Sequence, residues 1–116
     1  MKRIFIWLDD ERKISEKWTV TAKDNIDFII FRTGEDLIDW YKTIDNKYDK
    51  IFISFDHDLG NGLSGYDVAK YIVEHQLSLT GFTVHSMNPV GVKNIIDLLT
   101  HYGYHKLVST NEINTL

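Results

Sequence analysis

Four short apolar runs, "RIFIWL" (Arg3 to Leu8), "IDFIIF" (Ile26 to Phe31), "KIFISF" (Lys50 to Phe55) and "FTVHS" (Phe82 to Ser86), punctuate the chain, with helix-patterned stretches after the last three. Each run is rich in isoleucine or phenylalanine and lacks clean alternation, as expected of strands covered on both faces. A weaker fifth run is "YHKLVS", Tyr104 to Ser109. Helical spacing connects Leu37, Trp40, Tyr41 and Ile44 in Gly34 to Thr43, with Thr33 as N-cap and Asp36 three residues on. It recurs through Val68, Ala69, Ile72 and Val73 in Gly65 to Gln76. A third helix begins at Asn88-Pro89, a capping residue followed by proline at the first helical position. It buries Val92, Ile95, Leu98, Leu99 and Tyr102 before Gly103 stops it. Strands alternating with helices predict a parallel sheet with helices on both faces. The segment "KISEKWTVTAKDN", Lys13 to Asn25, shows no helical stripe, so the first helix is expected to be short or irregular.

Composition narrows the functional classes. With 116 residues, 43% hydrophobic and 26% charged, the chain suits one globular domain over residues 1–116. A net charge of −4 opposes wrapping of duplex nucleic acid, which needs a basic face, but leaves room for a small phosphorylated ligand. There is no cysteine, which excludes disulfides, zinc–thiolate sites and cysteine nucleophiles. No apolar stretch has the length of a membrane span, and "MKRIFIWLDDER" meets acids too soon for a signal peptide. A cytoplasmic protein without a membrane partner is expected, and a homo-oligomer is compatible with this composition.

In open α/β sheets, sites form outside the carboxyl ends of the strands, where strand order reverses. Asp9, Asp10, Glu11 and Arg12 follow the first strand, Asp56, His57 and Asp58 the third, and His85, Ser86 and Asn88 end the fourth. With strand order 2-1-3-4-5, Asp9, Asp10 and Asp56 come together and would repel unless a cation joined them. A hard divalent ion, Mg²⁺ or Mn²⁺, is the simplest such partner, while His57 or His85 would suit a softer one. Amides at the start of the third helix would add an anion-binding edge. Arg12 either pairs with the acids or recognises phosphate bidentately. His57 and His85 are each read as structural hydrogen-bonding groups, metal ligands or proton-transfer groups. Trp7, Trp18 and Trp40 are read as packing residues.

These residues resemble two related families. "IWLDDER" with "IFISFDHDLGNGLSGYDV" is similar to the receiver domains of two-component response regulators, which adopt the flavodoxin-like five-stranded parallel fold. That resemblance implies Mg²⁺ held at Asp9, Asp10 and Asp56, with Asp56 as phosphoryl acceptor, backbone help from Asp58 and Ser86 as the hydroxyl after strand four. A receiver also carries a lysine at the end of strand five, whereas Lys106 stands near the start of that run.

The motifs "LDDER" (Leu8 to Arg12), "SFDHDL" (Ser54 to Leu59) and "HSMNPVG" (His85 to Gly91) resemble more closely the cyclic-phosphate processing receiver domains. That family implies metal-dependent hydrolysis or ring opening of a cyclic phosphate or cyclic nucleotide. Asp9, Asp10 and Asp56 would hold the metal and His57, His85 and Asp58 would take part in catalysis. Arg12, Ser86, Asn88 and Gly91 would bind substrate. Capture of a cyclic nucleotide without chemistry, and phosphoryl acceptance on Asp56, are the alternative expectations.

Overall fold

The computed structural model describes residues 2–14 and 25–116. Its elements are β1 (Arg3–Leu8), β2 (Ile26–Phe31), α1 (Gly34–Thr43), β3 (Lys50–Phe55), α2 (Gly65–Glu74), β4 (Gly81–Val84), α3 (Pro89–His101) and α4 (Asn111–Thr115). The four strands form one parallel sheet in the order β2-β1-β3-β4. The expected first helix and Trp18 fall in the stretch from Lys13 to Asn25, most of which lies outside the described residues.

Each long helix starts where a side chain can accept an otherwise unpaired amide. Thr33 accepts from the N–H of Asp36, Ser64 and Asp67 form a reciprocal capping box, and Asn88 accepts from the N–H of Gly91. Their apolar stripes meet one sheet face. Ile4, Ile6, Leu8, Ile51, Ile53 and Phe55 pack there with Leu37 and Tyr41 of α1, Val68 and Ile72 of α2, and Ile95 and Leu99 of α3. Leu98 and Val92 are only half-buried, and Tyr102, expected in the core, is exposed because it caps α3. Gly103, with φ of 89°, then takes the left-handed conformation that ends the helix.

The opposite face holds a smaller cluster of Phe5, Trp7, Ile26, Phe52, Leu107 and Ile113. A fifth strand was expected at Tyr104 to Ser109, but the described structure gives only a single parallel bridge, Phe82 to Lys106. Phe82 donates its N–H to His105 and accepts from Leu107 at 2.7 Å. The next amides, of Val108 and Ser109, instead donate to the Glu112 carboxylate at the start of α4. A side chain thus intercepts the donors a longer ladder would use, and the chain turns into α4.

Candidate functional site at the carboxyl ends of the strands

Asp9, Asp56 and His85 are each the first residue beyond a strand, and each extends the sheet by one further backbone hydrogen bond. Asp9 donates to the carbonyl of Phe31 (3.1 Å), Asp56 to Leu8 (2.9 Å) and His85 to Phe55 (2.9 Å). The ladder therefore fixes three side chains from β1, β3 and β4 at one edge, although they are far apart in sequence. One ligand atom from each lies within 4.8 Å of the others.

Asp9 is fully buried. One carboxylate oxygen accepts the amides of Glu11 (2.9 Å) and Arg12 (2.8 Å), and the other lies 2.9 Å from His85 Nε2. Burial alone would raise the Asp9 carboxyl, but the two amides and His85 together outweigh it and hold it below its ordinary value. Asp56 moves the other way: burial and then the neighbouring Asp9 charge raise it, against a weaker opposing hydrogen bond from Ser86. Burial likewise depresses His85, outweighing the attraction of Asp9 and Asp56. Adjacent carboxyls pushed in opposite directions are a recurrent mark of functional sites.

The His85 ring is held at both nitrogens and on one face. Its Nδ1 lies 2.7 Å from the Ser54 hydroxyl, and its face stacks on Trp7 with centroids 3.8 Å apart and planes 8° apart. Trp7 is fixed in turn by donating its indole N–H to the Arg12 carbonyl (3.2 Å). Arg32 donates to the carbonyls of Asp9 (3.1 Å) and Arg12 (2.9 Å), clamping the acidic loop from the β2 side. Ser54, His85 and Asp9 are connected as in a hydrolytic triad, yet Ser54 is fully buried and has no access to a substrate. Here the serine orients the histidine.

Above the three residues opens a cleft of about 240 Å³ lined by Asp9, Asp10, Glu11, Arg12, Asp56, Asp58, Gly60, Ser86 and Met87. Asp10 therefore faces the cleft but stands outside the convergent trio, whose third member among the described residues is His85. His57 does not line the cleft. Its Nδ1 lies 2.9 Å from Asp58, and its ring packs so closely on α3 that a Cβ at Gly91 would come within 2.4 Å of it. Gly91 is thus a packing position. Asn88 is occupied with capping, its N–H donating to Ser86 Oγ (3.1 Å). Gly65 is required for a similar reason, because a Cβ there would stand 1.9 Å from the Asp56 carbonyl oxygen.

Ser54, Trp7 and Arg32 were not singled out from sequence as site residues. The first two look like strand core, and Arg32 looks like a solvated link before α1. The one available signal was Ser54, a hydroxyl in an otherwise apolar run whose neighbours on the strand are isoleucine and phenylalanine.

The parallel sheet, its 2-1-3-4 order and the acids at its carboxyl edge define a receiver-like α/β domain. Over residues 4–101 the chain matches the family described as the cyclic-phosphate processing receiver domain, and it belongs to that family. Among solved structures it is similar to the signal receiver domain of a protein described as a Luxo repressor from Vibrio parahaemolyticus. That similarity has a TM-score of 0.65 at 17% identity and covers 99% of this chain and 86% of the other. A second similar structure fuses a trimeric coiled-coil segment of yeast Spc42 to another protein, with a TM-score of 0.55, 21% identity, and coverage of 97% and 75%. At these identities the likeness speaks for the fold alone. No curated protein sequence matches the chain. Among the described residues no helix is long and apolar enough to cross a membrane.

Proposed function

We propose that the cleft binds a divalent cation and processes the cyclic phosphodiester of a nucleotide by hydrolysis or ring opening. The observation that carries this reading is the convergence of Asp9, Asp56 and His85, two of which, Asp9 and Asp56, line an open, acid-rich cleft. Two carboxylates and an imidazole within 4.8 Å are a donor set suited to a cation, which would oppose the burial and, after it, the Asp9 charge that raise the Asp56 carboxyl. When bound, such an ion polarises phosphoryl oxygens and makes water more acidic.

The chain's own residues supply the remaining roles. Arg12, a cation among the acids of the cleft wall, offers paired N–H donors to the non-bridging oxygens. Asp10 and Asp58 present carboxylates that would accept a proton from water. Ser86 holds Asp56 by a side-chain hydrogen bond. His57, packed on Gly91, is left with a structural role.

A screen of 2′,3′- and 3′,5′-cyclic nucleotides and cyclic dinucleotides with Mg²⁺, Mn²⁺ and Zn²⁺, with products identified by mass, tests the proposal. Metal-dependent ring opening that disappears in Asp56→Ala is expected; full turnover in that variant would refute the scheme. Ligand recovered intact at one equivalent would point to capture without chemistry. Phosphoryl acceptance on Asp56 is a second reading, favoured by its place after β3 beside the Ser86 hydroxyl. Among the described residues, however, no lysine lines the cleft.

A further inference from the structure

His85 differs from the other members of the trio in how much of the surrounding core is devoted to orienting it. A carboxylate can offer either oxygen, so small rotations leave a ligand in place. An imidazole offers one nitrogen in one direction and needs its other nitrogen occupied. Here the fully buried Ser54 hydroxyl lies at Nδ1 and Trp7 covers the ring face. Nε2 is thereby directed at Asp9 Oδ2, 2.9 Å away, within the trio that Asp56 completes. A site meant only for an oxygen-seeking ion would need none of these three arrangements.

We infer that the trio of Asp9, Asp56 and His85 selects a transition-metal ion over Mg²⁺, with His85 Nε2 as a ligand, and that Ser54 is the positioning residue that directs that nitrogen. The inference rests on the proposed cation site and specifies its ion. Mg²⁺ prefers a nearly all-oxygen octahedron and keeps several waters. Imidazole shifts preference toward later first-row ions, with affinity rising from Mn²⁺ through Co²⁺. A serine hydroxyl can both accept and donate, so Ser54 can donate to Nδ1 while Nε2–H meets Asp9 without metal, and accept from Nδ1–H when an ion takes the Nε2 lone pair. Trp7 limits ring rotation about that axis.

Binding of the ions alone provides the test. Mn²⁺, Co²⁺ and Mg²⁺ affinities would be measured by competition on the full chain, and the Mn²⁺-loaded protein examined by electron spin echo spectroscopy for nitrogen coupling. The parent is expected to bind one Mn²⁺ with a nitrogen signal and to favour Co²⁺ strongly over Mg²⁺. His85→Gln should lose the nitrogen signal and collapse the Co²⁺/Mg²⁺ preference while barely changing Mg²⁺ affinity. Ser54→Ala should weaken Co²⁺ binding about 10- to 100-fold, and Ser54→Thr, which keeps the hydroxyl, should restore most of it. A merely structural serine would leave the Co²⁺/Mg²⁺ ratio unchanged. Absence of nitrogen coupling in the parent, its persistence in His85→Gln, equal Mg²⁺ and Co²⁺ affinities, or no bound cation would each overturn the inference. A nitrogen signal without turnover of any cyclic phosphate would sustain it and count against the proposed function instead.

Discussion

Among the described residues, two carboxylate–histidine pairs lie at the same edge of the sheet and at the same separation, 2.9 Å: Asp9 with His85, and Asp58 with His57. Their surroundings differ. The Asp9 and His85 side chains are 1% and 12% exposed, whereas Asp58 and His57 are 67% and 21% exposed. Asp9 also holds two backbone amides, and His85 a buried hydroxyl and an indole face. Equal distance therefore conceals unequal consequence. In water the Asp58 pair is screened and contributes little. In the interior, every group around Asp9 loses its solvent alternative and depends on that carboxylate.

The largest effect should come from deleting the carboxylate of the buried pair. Asp9→Ala leaves the amides of Glu11 and Arg12 and one His85 nitrogen without their acceptor, and urea unfolding should show a loss of about 3 kcal/mol. A loss no greater than that of Asp58→Ala would break the comparison.

A smaller effect should appear in the pH dependence of stability. The native His85 lies below the ordinary histidine value because burial disfavours its charged form. As pH falls through about 6.5, the unfolded chain binds the proton first, so stability present above that pH is lost progressively below it. Metal-free His85→Gln should lack this part of the decline in a series of melts between neutral and mildly acidic pH. An unchanged slope would show that the imidazole is not effectively buried.

The smallest effect is expected at the exposed pair. Asp58→Asn should alter stability by less than about 1 kcal/mol, and added salt should reduce even that. A larger, salt-insensitive loss would mean that His57 depends on Asp58 to stay packed on Gly91.

The comparison also shows which parts of the site could be read in the sequence. Strand and helix positions were legible because their signals are local: apolar runs, Thr33, Ser64 and Asn88 at helix starts, and glycine at α3's end. Asp9 and Asp56 were legible because they end strands that the fold makes neighbours. The division between Asp9 and Asp10 was not. Adjacent acids look alike in sequence, and only the turn that gives Asp9 the amides of Glu11 and Arg12 draws one into the trio. His57 and His85 were equally open for the same reason, since their roles follow from which side chain each ring meets across the sheet. Of the fifth strand the described residues show one parallel bridge, Phe82 to Lys106, beyond which Glu112 accepts the amides of Val108 and Ser109.

The central claim is that the buried pair, and not the exposed one, belongs to a cation-dependent site for cyclic phosphodiesters. Initial rates of 2′,3′-cyclic AMP opening in saturating Mn²⁺, measured side by side for the parent, Asp9→Asn and His57→Asn, test it most directly. The account predicts that the parent opens the ring, that Asp9→Asn loses at least about 100-fold, and that His57→Asn stays within a few-fold of the parent. Loss of turnover in His57→Asn with Asp9→Asn still active would contradict it.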